Sequence, residues 1–172
     1  MAGTTSAGIL LYRGDANSTE VFIAHMGGPF WAKKDAAAWS APKGEYTIED
    51  PLAAARREFR EEIGVDAPAL PYVLLGDFRQ RSGKVVRLFT ARCEQPIAFA
   101  RSNTFELEWP RGSGRLQQFP EIDDARWVAR ADALRKLVTG QAPALDALTA
   151  LLEQSEQSEQ GEQGPGRVSA VM

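Results

Sequence analysis

Three glutamates, Glu58, Glu61 and Glu62, stand within the run REFREE from Arg57 to Glu62. If the run is helical, separations of three and four residues put their carboxylates on one face, within about a third of the circumference. Like charges so placed repel by roughly 0.2–0.5 kcal/mol per pair on an exposed helix, and more beside a buried face. Two readings follow. A hard divalent cation would relieve the repulsion: magnesium takes oxygen ligands, keeps several waters and is commonly completed by substrate phosphates. Otherwise the run is a solvated Glu/Arg surface, with Arg56 and Arg60 at its edge and Arg57 to Glu61 an ordinary helix pair.

The surrounding residues decide whether a helix is there to carry them. Asp50 sits where an N-cap belongs, and Pro51 follows at the first helical position, where a missing N–H costs nothing. Leu52, Ala55, Phe59 and Ile63 recur at helical spacing and predict one buried stripe. Gly64 is placed to end the helix in the left-handed conformation that helix C-termini favour.

The wider stretch from Trp39 to Val65 resembles the Nudix box. That motif is Gly, five residues, Glu, seven residues, then Arg-Glu-apolar-any-Glu-Glu-any-Gly-apolar. The matches are Gly44, Glu49, Arg57, Glu58, Phe59, Glu61, Glu62, Gly64 and Val65. Four residues, not five, separate Gly44 from Glu49, so the loop is one short, while the spacing from Glu49 onward is regular. The resemblance implies that Glu58, Glu61 and Glu62 hold Mg2+, with Mn2+ able to serve, and that the Gly44 carbonyl joins them. It also implies that Arg57 pairs with Glu49 to fix the helix against the loop without touching substrate. The implied fold is an α/β/α sandwich around a mixed β-sheet; residue order alone supports only the α/β class.

Ahead of the box, Ser6 to Tyr12 and Val21 to His25 read as strands joined by a turn at Gly14 to Asn17. His25, the single histidine, is expected to be a surface or turn residue. The long loop Met26 to Ala38 contains GGPFWAKKD. Phe30 and Trp31 could offer a π-face to a base, and Lys33 and Lys34 charge to phosphates; equally, the loop could be a lid over the core. Its wording is similar to that of a bacterial Nudix subgroup of predicted pyrophosphohydrolases. Lys43, in Pro-Lys-Gly just before the box, is similar to the lysine that faces the phosphate chain in Nudix hydrolases of dinucleoside polyphosphates. In that branch a glutamate just before a Trp-bearing strand assists the metals, and Glu121 matches it; a mere turn acid beside Pro120 is the other reading.

After the box helix, Tyr72 to Arg79 and Val85 to Cys93 form a predicted hairpin about Arg81 to Lys84. Gln95 to Arg101 is irregular. Thr104 to Trp109 alternates as a half-exposed strand, and Gly112 to Arg115 is a flexible basic loop. Helices are expected over Ala131 to Val138, stopped by Gly140, and from Pro143 to Leu152. Residues 1–153 form the expected catalytic domain. From 154 the chain is a Glu/Gln/Ser/Gly tail, EQS repeats with almost nothing to bury, and is expected to be disordered.

With 172 residues and 44% hydrophobic content the chain suits one core. A net charge of −3 argues against a stable nucleic-acid partner. Cys93 is the only cysteine, which excludes a disulfide framework or a cysteine zinc cluster; it is expected to be a buried thiol. No targeting or membrane segment is visible, so the expected setting is cytoplasmic and membrane-free. The resemblance therefore implies a Mg2+-dependent hydrolase of a phosphoanhydride in a nucleoside diphosphate linked to another moiety, with a dinucleoside polyphosphate in first place. Hydrolases of ADP-ribose, sugar nucleotides or nucleoside triphosphates are the alternatives, followed by a non-catalytic nucleotide-binding regulator. The general base is a box glutamate or Glu121.

Overall fold

The computed structural model describes residues 5–162. Strand β1 (Thr5–Arg13) alternates cleanly: Ala7, Ile9 and Leu11 enter one core, and Leu10 the other. Strand β2 (Glu20–Met26) returns antiparallel to it from Tyr12 and Arg13. Two short strands follow, β3 (Trp39–Ser40) against β2 and β4 (Lys43–Glu45) against Ser6 to Gly8 of β1. Helix α1 (Pro51–Ile63) then leads to the hairpin of β5 (Val73–Arg79) and β6 (Val85–Arg92). Strand β6 runs parallel to β1 over eight residue pairs, from Thr5–Val85 to Tyr12–Arg92, which makes the sheet mixed. Strands β7 (Thr104–Glu108) and β8 (Leu116–Pro120) form a separate two-stranded ribbon. Strand β9 (Ile122–Ala129) rejoins the main sheet on the far side of β2.

The sheet is buried on both faces. Against one lie Ala54, Ala55, Phe59 and Ile63 of α1, packed on Ala7, Ile9, Leu11 and Phe22. Against the other lie α2 (Arg130–Lys136) and α3 (Pro143–Glu162), with Leu145 and Leu148 against Leu10, Val21 and Leu88. This is the expected α/β/α sandwich. Full burial of a side chain such as Phe59 contributes about 1.5–3 kcal/mol, so the stripe of α1 sets the helix's rotation. The stripe differs in one member, since Leu52 is only half-buried and Ala54 replaces it. Cys93 is buried as expected. Among the described residues no helix is long and apolar enough to cross a membrane.

Three expectations are corrected. His25 is not at the surface: it is 8% exposed, with Nδ1 2.6 Å from Asp123 Oδ1 and Nε2 2.6 Å from the Lys34 carbonyl. A β-bulge between β2 and β9 supplies Asp123 as the extra residue there. Gly140 does not stop α2, which ends at Lys136 with Leu137 extended. The glycine lies in a 3-10 turn, Thr139–Gln141, where an added Cβ would fall 2.8 Å from the Gln80 Cα. Close approach of two backbones, not helix capping, requires it. Nor is residue 154 the end of order, because α3 continues to Glu162. Glu and Gln are good helix formers, Ser155 and Ser158 donate back to the Leu151 and Gln154 carbonyls, and Glu156 accepts from the Ala16 N–H at 3.1 Å. The tail beyond Glu162 lies outside the described residues.

Candidate active site

Local signals build α1 as the sequence predicts. Asp50 accepts from the Ala53 N–H at 3.0 Å, and Gly64, at φ 84°, donates its N–H to the Arg60 carbonyl. With Phe59 and Ile63 fixed in the core, the residues just before them, Glu58 and Glu62, turn toward the edge of α1 that faces β4. Glu58 is buried, 9% exposed. It lies so close to Gly44 that an added Cβ there would stand 2.0 Å from Glu58 Oε2. Glu62 accepts the Lys43 N–H at 3.0 Å. Burial pushes the Glu62 carboxyl up to about 8, opposed by the Lys43 charge and N–H and reinforced by Glu58 and Glu121. Glu58 is likewise raised, by burial first, with Arg57 pulling the other way.

Glu121 arrives from elsewhere in the chain. Its N–H donates to the Asn103 carbonyl and its own carbonyl accepts from Gly27, both at 2.8 Å. So held between the loop after β2 and the segment before β7, its exposed carboxylate acts on both Glu58 and Glu62. Asn103 in turn donates its N–H to the Glu61 carbonyl. Glu61 is half-buried beside Arg57.

Arg57 sits among these acids. Its Nη2 is 2.6 Å from Glu49 Oε1, the expected pair, while Nη1 lies 2.5 Å from Glu58 Oε1 and 3.3 Å from Glu61 Oε2. Hydrogen bonds to Glu49 and Glu58 hold the guanidinium pKa above its ordinary value, with burial opposing. The shortened loop therefore leaves the Glu49–Arg57 pair intact and turns Ile48 fully out to solvent. Arg57 bridges Glu49, Glu58 and Glu61, and among the described residues no three acids are gathered where they could hold one metal ion.

The loop residues divide. Phe30, 47% exposed, packs edge-on against Trp109, centroids 5.4 Å apart, rather than forming one platform with Trp31. Trp31 packs against the α2 and α3 core, with Lys34 Nζ 5.0 Å from its ring. Lys33 and Lys34 are exposed and make no ion pair with the box carboxylates among the described residues. Thus Lys43, Gly44, Glu58 and Glu62 meet at one edge of α1, Glu121 lies near enough for its charge to act on both glutamates, Glu61 adjoins Glu58 through Arg57, and Trp31, Lys33 and Lys34 stand apart. Asn103 joins the site without a sequence signal; Trp109, the partner of Phe30, shows only as the end of the Phe105, Leu107, Trp109 alternation.

The model of the NUDIX domain family matches residues 4–148. Among solved structures the chain is similar to an Ap4A hydrolase of C. elegans in a binary complex. That match has 20% identity over 87% of this chain and 98% of that one, with a TM-score of 0.59. The NUDIX domain of Shewanella oneidensis NrtR, complexed with ADP ribose, matches at 16% identity over 92% and 90%, TM-score 0.54. The E. coli ORF135 protein matches at 20% over 88% and 91%, TM-score 0.54. None of the curated proteins compared by sequence matches. At such identities the solved structures speak for the fold, and the family model, covering most of the chain, for the lineage: the chain belongs to the Nudix family of pyrophosphohydrolases, hydrolases that act on acid anhydrides.

Proposed function

We propose that this chain is a Mg2+-dependent hydrolase of a phosphoanhydride bond in a nucleoside diphosphate linked to another moiety, and that a dinucleoside polyphosphate is its substrate. The observation that carries the reading is the placement of Glu58 against Gly44 and of Glu62 on the Lys43 N–H, with Glu121 near enough for its charge to act on both. Nudix hydrolases generally use divalent metal ions, and the donors here, carboxylates and a backbone carbonyl, are of the type such an ion takes. Burial raises Glu58 and Glu62 even against the opposing charges of Arg57 and Lys43, and the oxygens are hard ligands suited to magnesium. Glu58, Glu61, Glu62, Glu121 and the Gly44 carbonyl would hold the ion. Bound there, it supplies neutralisation of phosphate oxygens and a lowered pKa for water.

The chain's own residues do the rest. Arg57 anchors the carboxylates through Glu49 and so keeps α1 against the loop. Glu62 Oε2 is taken by the Lys43 N–H, which leaves Oε1 as the oxygen able to accept a proton from an attacking water. Lys43 places a positive charge beside the acids, where the phosphate chain must come. Phe30 and Trp109, packed edge-on, offer an aromatic surface for a base, while Trp31, Lys33 and Lys34 lie away from the carboxylates.

The test is turnover of diadenosine tetraphosphate, ADP-ribose and nucleoside triphosphates by purified protein in Mg2+, with and without Lys43→Ala. The expected result is fastest cleavage of the dinucleotide. The variant should lose about 1.5–3 kcal/mol of transition-state stabilisation on that substrate and less on short ones. Far faster hydrolysis of ADP-ribose or a triphosphate would overturn the substrate, and metal-independent turnover would overturn the metal site.

A further inference from the structure

A cavity of about 480 Å3 opens at the C-terminal end of α1, within the size range of small-molecule sites. Arg57, Arg60 and Glu61 line it from the helix, and Arg101, Ser102 and Asn103 face them. It shares Arg57 and Glu61 with the acidic site, so a molecule extending from that site along α1 enters it.

The 101–103 segment is held at both ends. The N–H groups of Ala100 and Arg101 cap the Ile63 carbonyl at 2.9 and 3.3 Å, and the Asn103 N–H caps the Glu61 carbonyl at 2.8 Å. On the other side Ser102 Oγ accepts from the Ile122 N–H at 3.0 Å, and the Asn103 carbonyl accepts from Glu121. The stem of Arg101 lies over Gly64, where an added Cβ would be 2.7 Å from Arg101 Cγ. Arg101 is thus tied to the same framework that places Glu121.

Charge distinguishes the three arginines. Arg57 is committed to Glu49 and Glu58, and Arg60 lies 3.5 Å from Asp66. Among the described residues Arg101 has no carboxylate partner. A helix C-terminus ordinarily repels anions, but here the carbonyls of Arg60, Glu61 and Ile63 are all capped by backbone N–H groups, which blunts that effect. A free guanidinium with five donors is suited to phosphate oxygens.

We propose that this cavity is an anion subsite in which Arg101 holds a phosphate group of the substrate lying beyond the scissile bond. The assignment rests on the phosphoanhydride reading above and adds to it a determinant of substrate length. The test uses the full chain and inorganic tripolyphosphate, titrated calorimetrically in EDTA so that no metal or turnover is needed. Arg101→Gln should weaken tripolyphosphate binding about tenfold, as for loss of one charge-assisted contact. Arg56→Gln, which removes the same charge from an exposed position of α1 outside the cavity, should leave binding within about twofold. With diadenosine tetraphosphate, Arg101→Gln should raise KM about tenfold at nearly unchanged kcat, and Arg101→Lys should recover part of the loss. Unchanged tripolyphosphate binding in Arg101→Gln, or an equal loss in Arg56→Gln, overturns the subsite. Should the wild type cleave only short substrates, the dinucleotide reading fails by itself, and the metal-free titration still decides the cavity.

Discussion

Replacing Gly44 by alanine tests the packing at the centre of the site. A methyl group there would stand 2.0 Å from Glu58 Oε2 and 2.1 Å from its Cδ, so the buried carboxylate must move. Overpacking of this kind costs about 1–3 kcal/mol. The smaller entropy of an unfolded chain with alanine returns about 0.4–1 kcal/mol, leaving a net loss of roughly 0.5–2 kcal/mol. For a chain of this size that is a fall in Tm of a few degrees, at about 2–4 °C per kcal/mol. Turnover should fall further than stability, by about 10- to 100-fold, because a carboxylate displaced by about 1 Å no longer meets its ligand or proton. Melting curves and steady-state kinetics on Gly44→Ala, Glu58→Ala and the double variant provide the assay. In the Glu58→Ala background the methyl has nothing to displace, so Gly44→Ala should cost nothing in Tm there. An equal loss in both backgrounds, or no loss in either, would refute the packing argument.

Glu61→Gln keeps the side chain's shape and removes its charge, so turnover in Mg2+ should drop by about 100-fold or more with the fold intact; near-normal kinetics would remove Glu61 from the ligand set. In the metal-free protein, the Glu62 pKa of about 8 lies above its ordinary 4.5, so folding favours the protonated form. That contribution is full below about 4.5, is lost as pH rises toward about 8, and Glu62→Gln should flatten this slope in Tm measured in EDTA. A slope unchanged in the variant would show that another group causes it. Truncation after Gln154 removes the last turns of α3 and the Glu156–Ala16 hydrogen bond, so stability should fall by only about 0.5–1.5 kcal/mol with kcat unchanged. A larger fall in the melting scan would mean that the segment packs on the domain.

Residues 50–64 carry their own instructions: the Asp50 cap, Pro51, the apolar stripe and the left-handed Gly64 act within one helix through hydrogen bonds and periodicity a few residues long. For the same reason the shared face of Glu58, Glu61 and Glu62 was legible, as were the strands whose alternation matches their burial. Only tertiary structure decided what meets that face. Glu121 comes near enough for its charge to act on Glu58 and Glu62 because β9 pairs with β2, bringing together segments nearly a hundred residues apart. The same bulged pairing carries Asp123 to His25 and buries a histidine whose place at the end of a predicted strand suggested the surface. Phe30 finds Trp109, and Arg101 lies over Gly64, through a two-stranded ribbon and an irregular segment whose positions no local pattern encodes. At the tail the error ran the other way: EQS repeats lack an apolar face, yet helix propensity and continuity with the packed start of α3 carry the helix on to Glu162. Local chemistry specifies an element; the partner of each side chain is specified by long-range strand pairing and core packing, which no stretch of a few residues contains.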